Sequence, residues 1–380
     1  MQKAHCAACG FPQWRTQLSA AALITSKTGG TTTRSLRLHS AAQKADWIIG
    51  INATRLFSCL YNRTLNVGRV QTPTLKMLAD RDAAISTFKK EKYYHVRLIL
   101  SGIEAVSERL SDAAAADELK SACEAAQAVC VSISREKKTA APPKLFDLTS
   151  LQREANRIHG YTAKQTLDLA QALYEKRLLT YPRTDSAFLT DDMGGTAANI
   201  AALLCGKLPF MQDVSFTPDV SCTLDSKKVS DHHAIIPTLE LAKTDLAALP
   251  ESERNILTLA GARLLFAAAE PHSYEAVTAV FSCADNSFTA KGKLVLCAGW
   301  KDLERRYRLT LKGKQDTDDR DSDFVSDVPD FTEGQTFSDF STKVTVHDTQ
   351  PLKPHTEASL LSAMEHAGSE DTNADAERKG

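Results

Sequence analysis

The chain has 380 residues, enough for two or three domains, and 43% hydrophobic and 24% charged residues indicate an ordinary soluble protein. Its net charge of −1 argues against a protein that coats duplex DNA through bulk electrostatics, although this net charge is compatible with a local basic groove. No apolar run approaches the length of a membrane span and the N-terminus lacks a signal-peptide layout, so we predict a cytoplasmic protein without a membrane partner.

Cysteine usage favours reduced thiols over a disulfide framework, because the nine cysteines are odd in number and scattered along the chain. Cys6 and Cys9 have half of the spacing of a zinc site, but no second pair follows nearby. We therefore predict no metal at this position.

The pattern of apolar residues along the chain predicts a helical segment inserted between two β-rich segments. Strands are predicted at residues 93–100, 128–133, 276–281 and 293–297, where β-branched and aromatic residues are frequent. Pro142 and Pro143 mark a stiff junction between the first strands and the helices.

Two short helices are predicted between this junction and residue 176. Thr149 with Gln152 forms a capping pattern for the first helix, and Gly160 supplies its stop. Its apolar face is predicted to hold Leu151, Ala155 and Ile158. Thr162 with Gln165 repeats the pattern for the second helix, whose apolar face is predicted to hold Leu167, Ala170 and Tyr174.

The most informative segment comes after the second helix, at residues 178–186 (LLTYPRTDS). A phenol, with a pKa of about 10, becomes a useful nucleophile when a cation stabilises the phenolate and the charge on the group under attack. Tyr181 lies two residues from Arg183, which can hold a phosphate with two parallel hydrogen bonds. Pro182 favours an extended backbone at the tyrosine. The alternative interpretation is a buried tyrosine beside a surface arginine in an ordinary turn.

This segment resembles the active-site motif of type IA DNA topoisomerases, and four further segments resemble the same family in the same order. They are residues 46–55 (DWIIGINATR), 66–75 (NVGRVQTPTL), 230–238 (SDHHAIIPT) and 356–364 (TEASLLSAM). The doubled histidine and the last segment look most similar to the topoisomerase III branch. The resemblance extends from about Leu36 to Gly368.

The resemblance implies an activity. Type IA enzymes cut one DNA strand by attack of a tyrosine on a backbone phosphate, pass another strand through the gap and rejoin the ends. The 5′-phosphotyrosine conserves the bond energy, so no ATP is required, and the chain contains no G-x-x-x-x-G-K-[ST] loop.

The same resemblance assigns the site residues. Tyr181, Arg183 and His232 match the catalytic positions, and His233 and Thr184 are assigned to DNA binding. The histidine pair has two alternatives: a metal site completed by Cys222 and Asp231, whose spacing fits no common pattern, or a structural role.

A groove for single-stranded DNA is implied by four residues near the start of the match. Arg55, Gly68, Arg69 and Gln71 occupy positions that line this groove in the family. Gly68 has no side chain to hinder a close approach and can absorb a change in torsion angle. The alternative for each charged residue alone is an ordinary helix surface.

The implied fold is a mixed α and β multidomain arrangement, with helical domains and a split β-rich arch domain, as in part of the type IA toroid. Residues 1–35 would form a divergent tail, and residues 36–92, completed by 346–380, a helical DNA-groove domain. Residues 93–145 and 258–345 would form the arch, and residues 146–257 the helical domain with the catalytic tyrosine.

One expected part of the family is missing from the sequence. We find no Toprim domain, whose glutamate transfers a proton and whose acidic D-x-D cluster binds Mg²⁺, and Met1 to Thr33 contains no Asp or Glu. We therefore expect a fragment. It would cleave single-stranded DNA only with a Toprim domain in trans, with a helicase as a further partner. The alternatives are a single-strand DNA clamp and an inactive remnant.

Overall fold

The computed structural model describes residues 31–68, 70–100, 102–311 and 331–367, and for residues 31–43, 45 and 46 it describes the backbone alone. The predictions that concern Cys6, Cys9, Arg69 and most of the 1–35 tail lie outside these residues. The chain divides into two units, residues 1–79 and 80–380.

The first unit contains helix α1 (Thr31–Tyr61) and most of helix α2 (Gln71–Ser86). The chain between these helices folds back along α1 through two side chains. The backbone N–H of Val67 donates to Thr54 Oγ1 at 2.9 Å, and that of Leu65 donates to Ser58 Oγ at 2.9 Å. Polar side chains of α1 therefore fix the connection.

The second unit contains a seven-stranded antiparallel sheet with the strand order β6-β3-β4-β5-β2-β1-β7. The strands are β1 (Lys92–Leu100), β2 (Ile103–Ser107), β3 (Ala128–Ala140), β4 (His272–Cys283), β5 (Asn286–Cys297), β6 (Thr336–Phe337) and β7 (Ser341–Asp348). Helix α3 (Ala113–Glu124) packs against β1 and β7. Alternate residues of β1, Val96, Leu98 and Leu100, are fully buried in the sheet core, as the two-residue period of a strand requires.

A helical region interrupts the sheet between β3 and β4, which are nevertheless hydrogen-bonded neighbours, with Cys130 opposite Phe281. This region contains α4 (Leu148–His159), α5 (Ala163–Glu175), α6 (Gly194–Lys207) and α7 (Glu251–Ala267), and α8 (Trp300–Thr310) packs against α7. The predicted fold class, helices inserted into a split β-rich part, is confirmed. The predicted boundary between residues 257 and 258 falls within α7.

The last described helix, α9 (Glu357–Glu365), packs against α4. Its N-terminal Glu357 accepts a hydrogen bond from the backbone of Ala163 at 2.6 Å, and its last residue, Glu365, pairs with Arg153 at 3.1 Å. The backbone N–H of Ala358 donates to Asn156 Oδ1 at 3.2 Å. Both ends of α9 are thus attached to the helices that precede the tyrosine.

Two details of the predicted helices before Tyr181 were wrong. The N-cap of α4 is Asp147, which forms a capping box with Ser150, whereas Thr149 and Gln152 lie inside the helix. In α5 the buried residues are Thr166, Ala170 and Leu173, so the predicted face was displaced and Tyr174 is exposed. The capping box of Thr162 with Gln165 and the left-handed stop at Gly160 are confirmed.

No helix in the described parts of the chain is both long and apolar enough to cross a membrane.

Candidate active site

Tyr181 lies in an irregular segment that is held beside a second irregular segment. We call residues 178–188 the tyrosine segment and residues 228–238 the histidine segment. After α5 the chain turns at Arg177, whose φ of 60° is left-handed, and the buried Leu178 and Leu179 anchor the start of the tyrosine segment. Two backbone bonds join the segments, from Thr180 N–H to the Ile236 carbonyl at 3.0 Å and from Thr238 N–H to the Leu178 carbonyl at 3.1 Å.

The hydroxyl of Thr180 adds side-chain bonds to this junction. Its Oγ1 donates to the carbonyl of Ala234 at 3.1 Å and accepts from the backbone N–H of Ile236 at 2.9 Å. One side chain therefore occupies two backbone groups of the histidine segment. This restricts the position of the adjacent tyrosine.

Tyr181 lies between two aromatic rings. The centroid of the His232 ring is 4.4 Å from that of Tyr181, with an angle of 48° between the planes, and Tyr174 of α5 meets Tyr181 edge-on at 5.4 Å. Tyr181 is half-buried, while His232 and Tyr174 are exposed. The structure thus brings together Tyr181 and His232, which are far apart in the sequence.

Thr184 positions the backbone of His232. It is only 7% exposed, its Oγ1 donates to the carbonyl of His232 at 2.9 Å, and it accepts from the N–H of Ser186 at 3.1 Å. The single hydroxyl hydrogen of Thr184 is therefore used within the protein. A further link joins the segments two residues away, where Ser230 Oγ donates to Asp185 Oδ1 at 2.8 Å.

Arg183 is exposed next to the buried Pro182. Within the described parts of the chain, no carboxylate lies within 4.0 Å of its guanidinium. A guanidinium has five N–H donors in a planar fork that matches phosphate. Arg183 is thus a solvent-facing cation two residues from the phenol, with its donors open to an anion.

His233 makes a different contact from its neighbour. It is half-buried, and its Nδ1 lies 2.8 Å from the carbonyl of Ala234, which can only accept, so Nδ1 carries the hydrogen. Cys222 and Asp231, the alternative metal ligands, are both exposed. Across the described ranges, no three His, Cys, Asp or Glu side chains form a group that could hold a metal ion.

The predicted groove residues lie in the first unit, apart from Arg69, which is outside the described residues. Arg55 on α1 and Gln71 at the start of α2 are exposed. A Cβ added to Gly68 would meet Gln71 Oε1 at an ordinary 3.7 Å, and the Gly68 N–H donates to Thr72 Oγ1 at 3.1 Å. Local packing does not require glycine at position 68, so its proposed role in DNA binding stays a prediction.

Two contributors to this site were missed in the sequence. The spacing of Tyr174 fits a helical face and predicts a core position, and the sequence marks Thr180 only as part of the motif. A polar residue directly before the tyrosine, after two buried leucines, is the one signal that could have identified Thr180 as a bracing residue.

Comparison with known proteins identifies the family. A family model described as DNA topoisomerase matches residues 36–369. DNA topoisomerase 3 of Bacillus licheniformis is 37% identical over 349 residues, covering 86% of this chain and 46% of the relative. DNA topoisomerase 3 of Bacillus subtilis (strain 168) is 36% identical over 343 residues, with the same two coverages of 86% and 46%.

A solved structure agrees with these relatives. Full-length topoisomerase I from Thermotoga maritima matches with a TM-score of 0.62 and 25% identity, over 84% of this chain and 52% of that chain. The chain spans about half the length of the relatives that it matches. The chain belongs to the type IA DNA topoisomerase family and is similar to its topoisomerase 3 members.

Proposed function

We propose that this chain performs the strand cleavage and rejoining of a type IA topoisomerase, with Tyr181 as the nucleophile. The observation that supports this best is the 4.4 Å contact between Tyr181 and His232, beside the open guanidinium of Arg183. The tyrosine is half-buried and braced by Thr180, yet its neighbours His232 and Arg183 face solvent, where a DNA strand can approach.

The reaction is a balanced exchange of phosphate esters. Tyr181 Oη forms a bond to a backbone phosphorus, the bond from that phosphorus to the 3′ oxygen breaks, and the phenol proton passes to water. The departing 3′ oxygen takes up a proton, which in the family comes from a Toprim glutamate. The strand is then joined to Tyr181 through its 5′ phosphate, and the free 3′ hydroxyl reverses the reaction without ATP.

Arg183 and His232 would stabilise the charge that grows on the attacked phosphate. Fixed cations and donors next to a phosphoryl group in the transition state are typically the largest contribution to such a reaction. Arg183 can donate two parallel hydrogen bonds to one phosphate. The ring of His232, held near Tyr181 through its backbone bond to Thr184, would donate to another phosphate oxygen.

The strand on either side of the reacting phosphate would be held by the other predicted residues. We assign Arg55, Gly68, Arg69 and Gln71 to a groove in residues 36–92, completed by residues 346–380. Thr184 and His233 are assigned to the helical domain of residues 146–257. Residues 93–145 and 258–345 would form the arch. Single-strand grooves combine cations with apolar stacking surfaces, which suits the exposed Arg55 beside the exposed apolar residues of α1.

Magnesium dependence is a general property of the family. The described residues do not fit a magnesium site, because no group of three ligating side chains occurs among them. We propose that the carboxylates for Mg²⁺ and the general acid come from a Toprim domain, here supplied in trans. A helicase is a further candidate partner.

Covalent capture of DNA tests this proposal. The purified chain is incubated with 5′- and 3′-labelled single-stranded DNA and magnesium, with and without a Toprim domain, and analysed on a denaturing gel. We expect an adduct on the 5′-phosphate side that disappears in Tyr181→Phe. The matched control, Tyr174→Phe, keeps its edge-on ring contact and should keep the adduct.

The remaining outcomes separate the alternatives. An adduct that persists in Tyr181→Phe would contradict the assignment of the nucleophile. No adduct under either condition, with DNA still bound in a shift assay, would leave a single-strand clamp. Absence of both, together with a non-cooperative unfolding transition, would leave an inactive remnant.

A further inference from the structure

A cavity of about 490 Å³ opens beside the tyrosine segment, within the size range of roughly 300–1,000 Å³ that is usual for ligand pockets. Residues 185–188 form one of its walls. An extended chain covers at most about 3.6 Å per residue, so this wall begins within about 14 Å of the Tyr181 backbone. None of the predicted catalytic residues lines this cavity, so its role requires a separate explanation.

Two lysines of the cavity share one aromatic ring. Lys144 Nζ lies 5.5 Å and Lys228 Nζ 4.6 Å from the ring centroid of Phe188. A cation–π contact attracts an ammonium group through its charge and leaves N–H donors for other acceptors. Lys228 also pairs with Asp225 at 2.8 Å, whereas no described carboxylate lies within 4.0 Å of Lys144.

A third cation, Arg263 of α7, closes the group. Its guanidinium lies 4.1 Å from the ring centroid of Phe146 and donates one long hydrogen bond, of 3.5 Å, to the carbonyl of Lys144. Among the described residues, no carboxylate lies within 4.0 Å of it. Most of its five N–H donors are therefore open to a further acceptor.

The cavity also contains three acids, and each already has a donor from the protein. Asp147 accepts the N–H of Ser150 at 2.7 Å in the helix cap, and Asp185 accepts from Ser230 at 2.8 Å. Glu365 pairs with Arg153 at 3.1 Å. Among the described residues, no carboxylate lies within 4.0 Å of Lys144 or Arg263, although the charges of Asp147, Glu154 and Glu304 act on Arg263 from further away. Lys228 shares its charge with Asp225. Asp147 and Asp185 accept from neutral donors and keep their charge, so the cavity holds three cations against three acids and fits at most one phosphate group.

The cavity shares its framework with the reacting residues. Ser186 Oγ donates to the carbonyl of Lys228 at 3.0 Å, and the N–H of Ala234 donates to the carbonyl of Phe188 at 2.9 Å. These bonds join the same two segments that hold Tyr181 against His232. A group bound in the cavity is therefore in a fixed relation to the tyrosine.

We propose that this cavity binds one backbone phosphate of the DNA strand that is cleaved at Tyr181, through Lys144, Lys228 and Arg263. This inference rests on the proposed function, because it takes the strand at Tyr181 as the source of the phosphate. It adds a cationic subsite on the helical region, separate from the groove predicted in the first unit.

The salt dependence of DNA binding tests the subsite. The affinity of the full chain for a fluorescent single-stranded oligonucleotide is measured at several salt concentrations, because each phosphate contact on a single strand contributes about 0.7 to the logarithmic slope. In the double variant Lys144→Gln/Lys228→Gln we expect the slope to fall by about 0.7 and the affinity to weaken.

The matched control removes the same charge elsewhere. Lys120→Gln/Lys243→Gln replaces two lysines that pair with Glu124 and Glu240 at 3.6 and 3.2 Å, and it should leave the slope unchanged. Unfolding midpoints confirm that both double variants are folded. Equal slopes for the two double variants would overturn the proposal, as would a wild-type chain that does not bind the oligonucleotide.

Chemical neutralisation of the DNA identifies the contact. Methylphosphonate linkages, which carry no charge, are placed one at a time around the cleavage position. One position should weaken binding to wild type but not to Lys144→Gln/Lys228→Gln, because that phosphate has already lost its partners. If every position weakens both proteins equally, the cavity does not hold a backbone phosphate.

Two further arms separate the possible explanations. Inorganic phosphate alone is titrated calorimetrically; binding that the double variant loses, with the DNA slope unchanged, would make the cavity a free-anion site and overturn the proposal. The slopes are also measured with Tyr181→Phe added to each protein, because DNA binding can then be compared without cleavage. If the lysine double variant lowers the slope but wild type gives no covalent capture, the subsite is retained and the proposed reaction is rejected. If wild type gives capture but the double variant leaves the slope unchanged, the reaction is retained and the subsite is rejected.

Discussion

The sheet and the two segments around Tyr181 are stabilised in different ways. The sheet is held by long antiparallel ladders and by buried aromatic rings, with Phe281, Phe331 and Phe337 in edge-on contact at 5.3 to 5.8 Å. The tyrosine and histidine segments have no regular ladder. Hydroxyls of Thr180, Thr184 and Ser186 hold them through bonds to backbone groups.

This difference reflects the separate roles of the two regions. A strand in a sheet can bury every second side chain, so packing alone specifies its register. A reactive tyrosine must keep its ring accessible, which leaves less apolar area to fix its position. Short hydroxyl side chains next to it supply that constraint without covering it. Changes in the sheet should therefore affect stability, and changes in the segments should affect the reaction.

The largest effect is expected from Phe281→Ala in the sheet core. Phe281 is fully buried, and removal of such a ring costs about 3–5 kcal/mol of the free energy of unfolding. Denaturant unfolding measures the loss, and the matched control is Val280→Ala on the opposite face of β4. Covalent capture by protein that is still folded should be unchanged. A loss of capture by fully folded protein would show that the sheet acts on the site directly. It would then be wrong to assign stability to the sheet and the reaction to the two segments.

A charge pair in the helical region should give an intermediate effect. Arg157 donates two hydrogen bonds to Glu154, at 2.6 and 3.1 Å. Burial opposes ionisation of Glu154, but the hydrogen bond from Arg157 and the charges of Arg157, Arg263 and Arg308 outweigh it and lower the pKa of Glu154. We expect Glu154→Gln to lose about 1–3 kcal/mol of unfolding free energy at neutral pH.

The sign of the pH dependence is set by this lowered pKa. The stabilisation is present above the unfolded pKa of a glutamate, about 4.3, and disappears as the pH falls through the lower folded value. Wild type should therefore lose stability on acidification more steeply than Glu154→Gln. The exposed pair of Glu240 with Lys243, at 3.2 Å, is the control, because Glu240→Gln should change stability by less than about 1 kcal/mol. Equal pH profiles for wild type and Glu154→Gln would contradict the assignment.

Thr184→Val should separate stability from reaction. Loss of the hydroxyl leaves the carbonyl of His232 without this donor, at a cost of about 1–2 kcal/mol in unfolding free energy. Thr223→Val, which removes a buried hydroxyl bonded to the carbonyl of Val220 at 2.6 Å, should cost a similar amount. Single-turnover capture should slow by about 10–100-fold in Thr184→Val alone, because displacement of a catalytic group slows the reaction. A similar slowing in Thr184→Val and Thr223→Val would indicate that loss of any buried hydroxyl loosens the helical region, and it would contradict a specific role of Thr184.

The sequence predicts four of the seven strands, β1, β3, β4 and β5, and it makes the last three too short. β-Branched and aromatic residues identified β1, but β3 continues through Arg135 to Lys138, where charged residues gave no strand signal. This extension exists because β4 pairs with it, as Lys138 opposite Tyr274 shows. Pairing between segments separated by a whole helical region is a tertiary contact that local propensity does not contain.

The sequence offers candidate site residues, whose roles stay predictions, but it does not predict the geometry that brings them together. Tyr181 and Arg183 are neighbours in the sequence, but the contact with His232 depends on bonds made by Thr180 and Thr184 across the two segments. The predicted N-cap of α4 was wrong for a local reason. Asp147 competes with Thr149 for the same role, and aspartate is the stronger N-cap, so the helix begins earlier than the Thr149 pattern predicts.

The smallest effect concerns the turn at Gly160, between α4 and α5. Gly160 ends α4 with a φ of 69°, a left-handed conformation that costs a residue with a Cβ about 1–2 kcal/mol, so Gly160→Ala should lower the unfolding free energy by about 1 kcal/mol. Gly206, inside α6 with no atom within 4 Å of an added Cβ, is the opposite case, and Gly206→Ala should raise it by about 0.5–1 kcal/mol. Thermal unfolding measures both. Because α4 and α5 carry the chain to Tyr181, a small loss of capture in Gly160→Ala, absent in Gly206→Ala, would show that the turn also orients the tyrosine segment. An increase in stability for Gly160→Ala would rule out the left-handed cap.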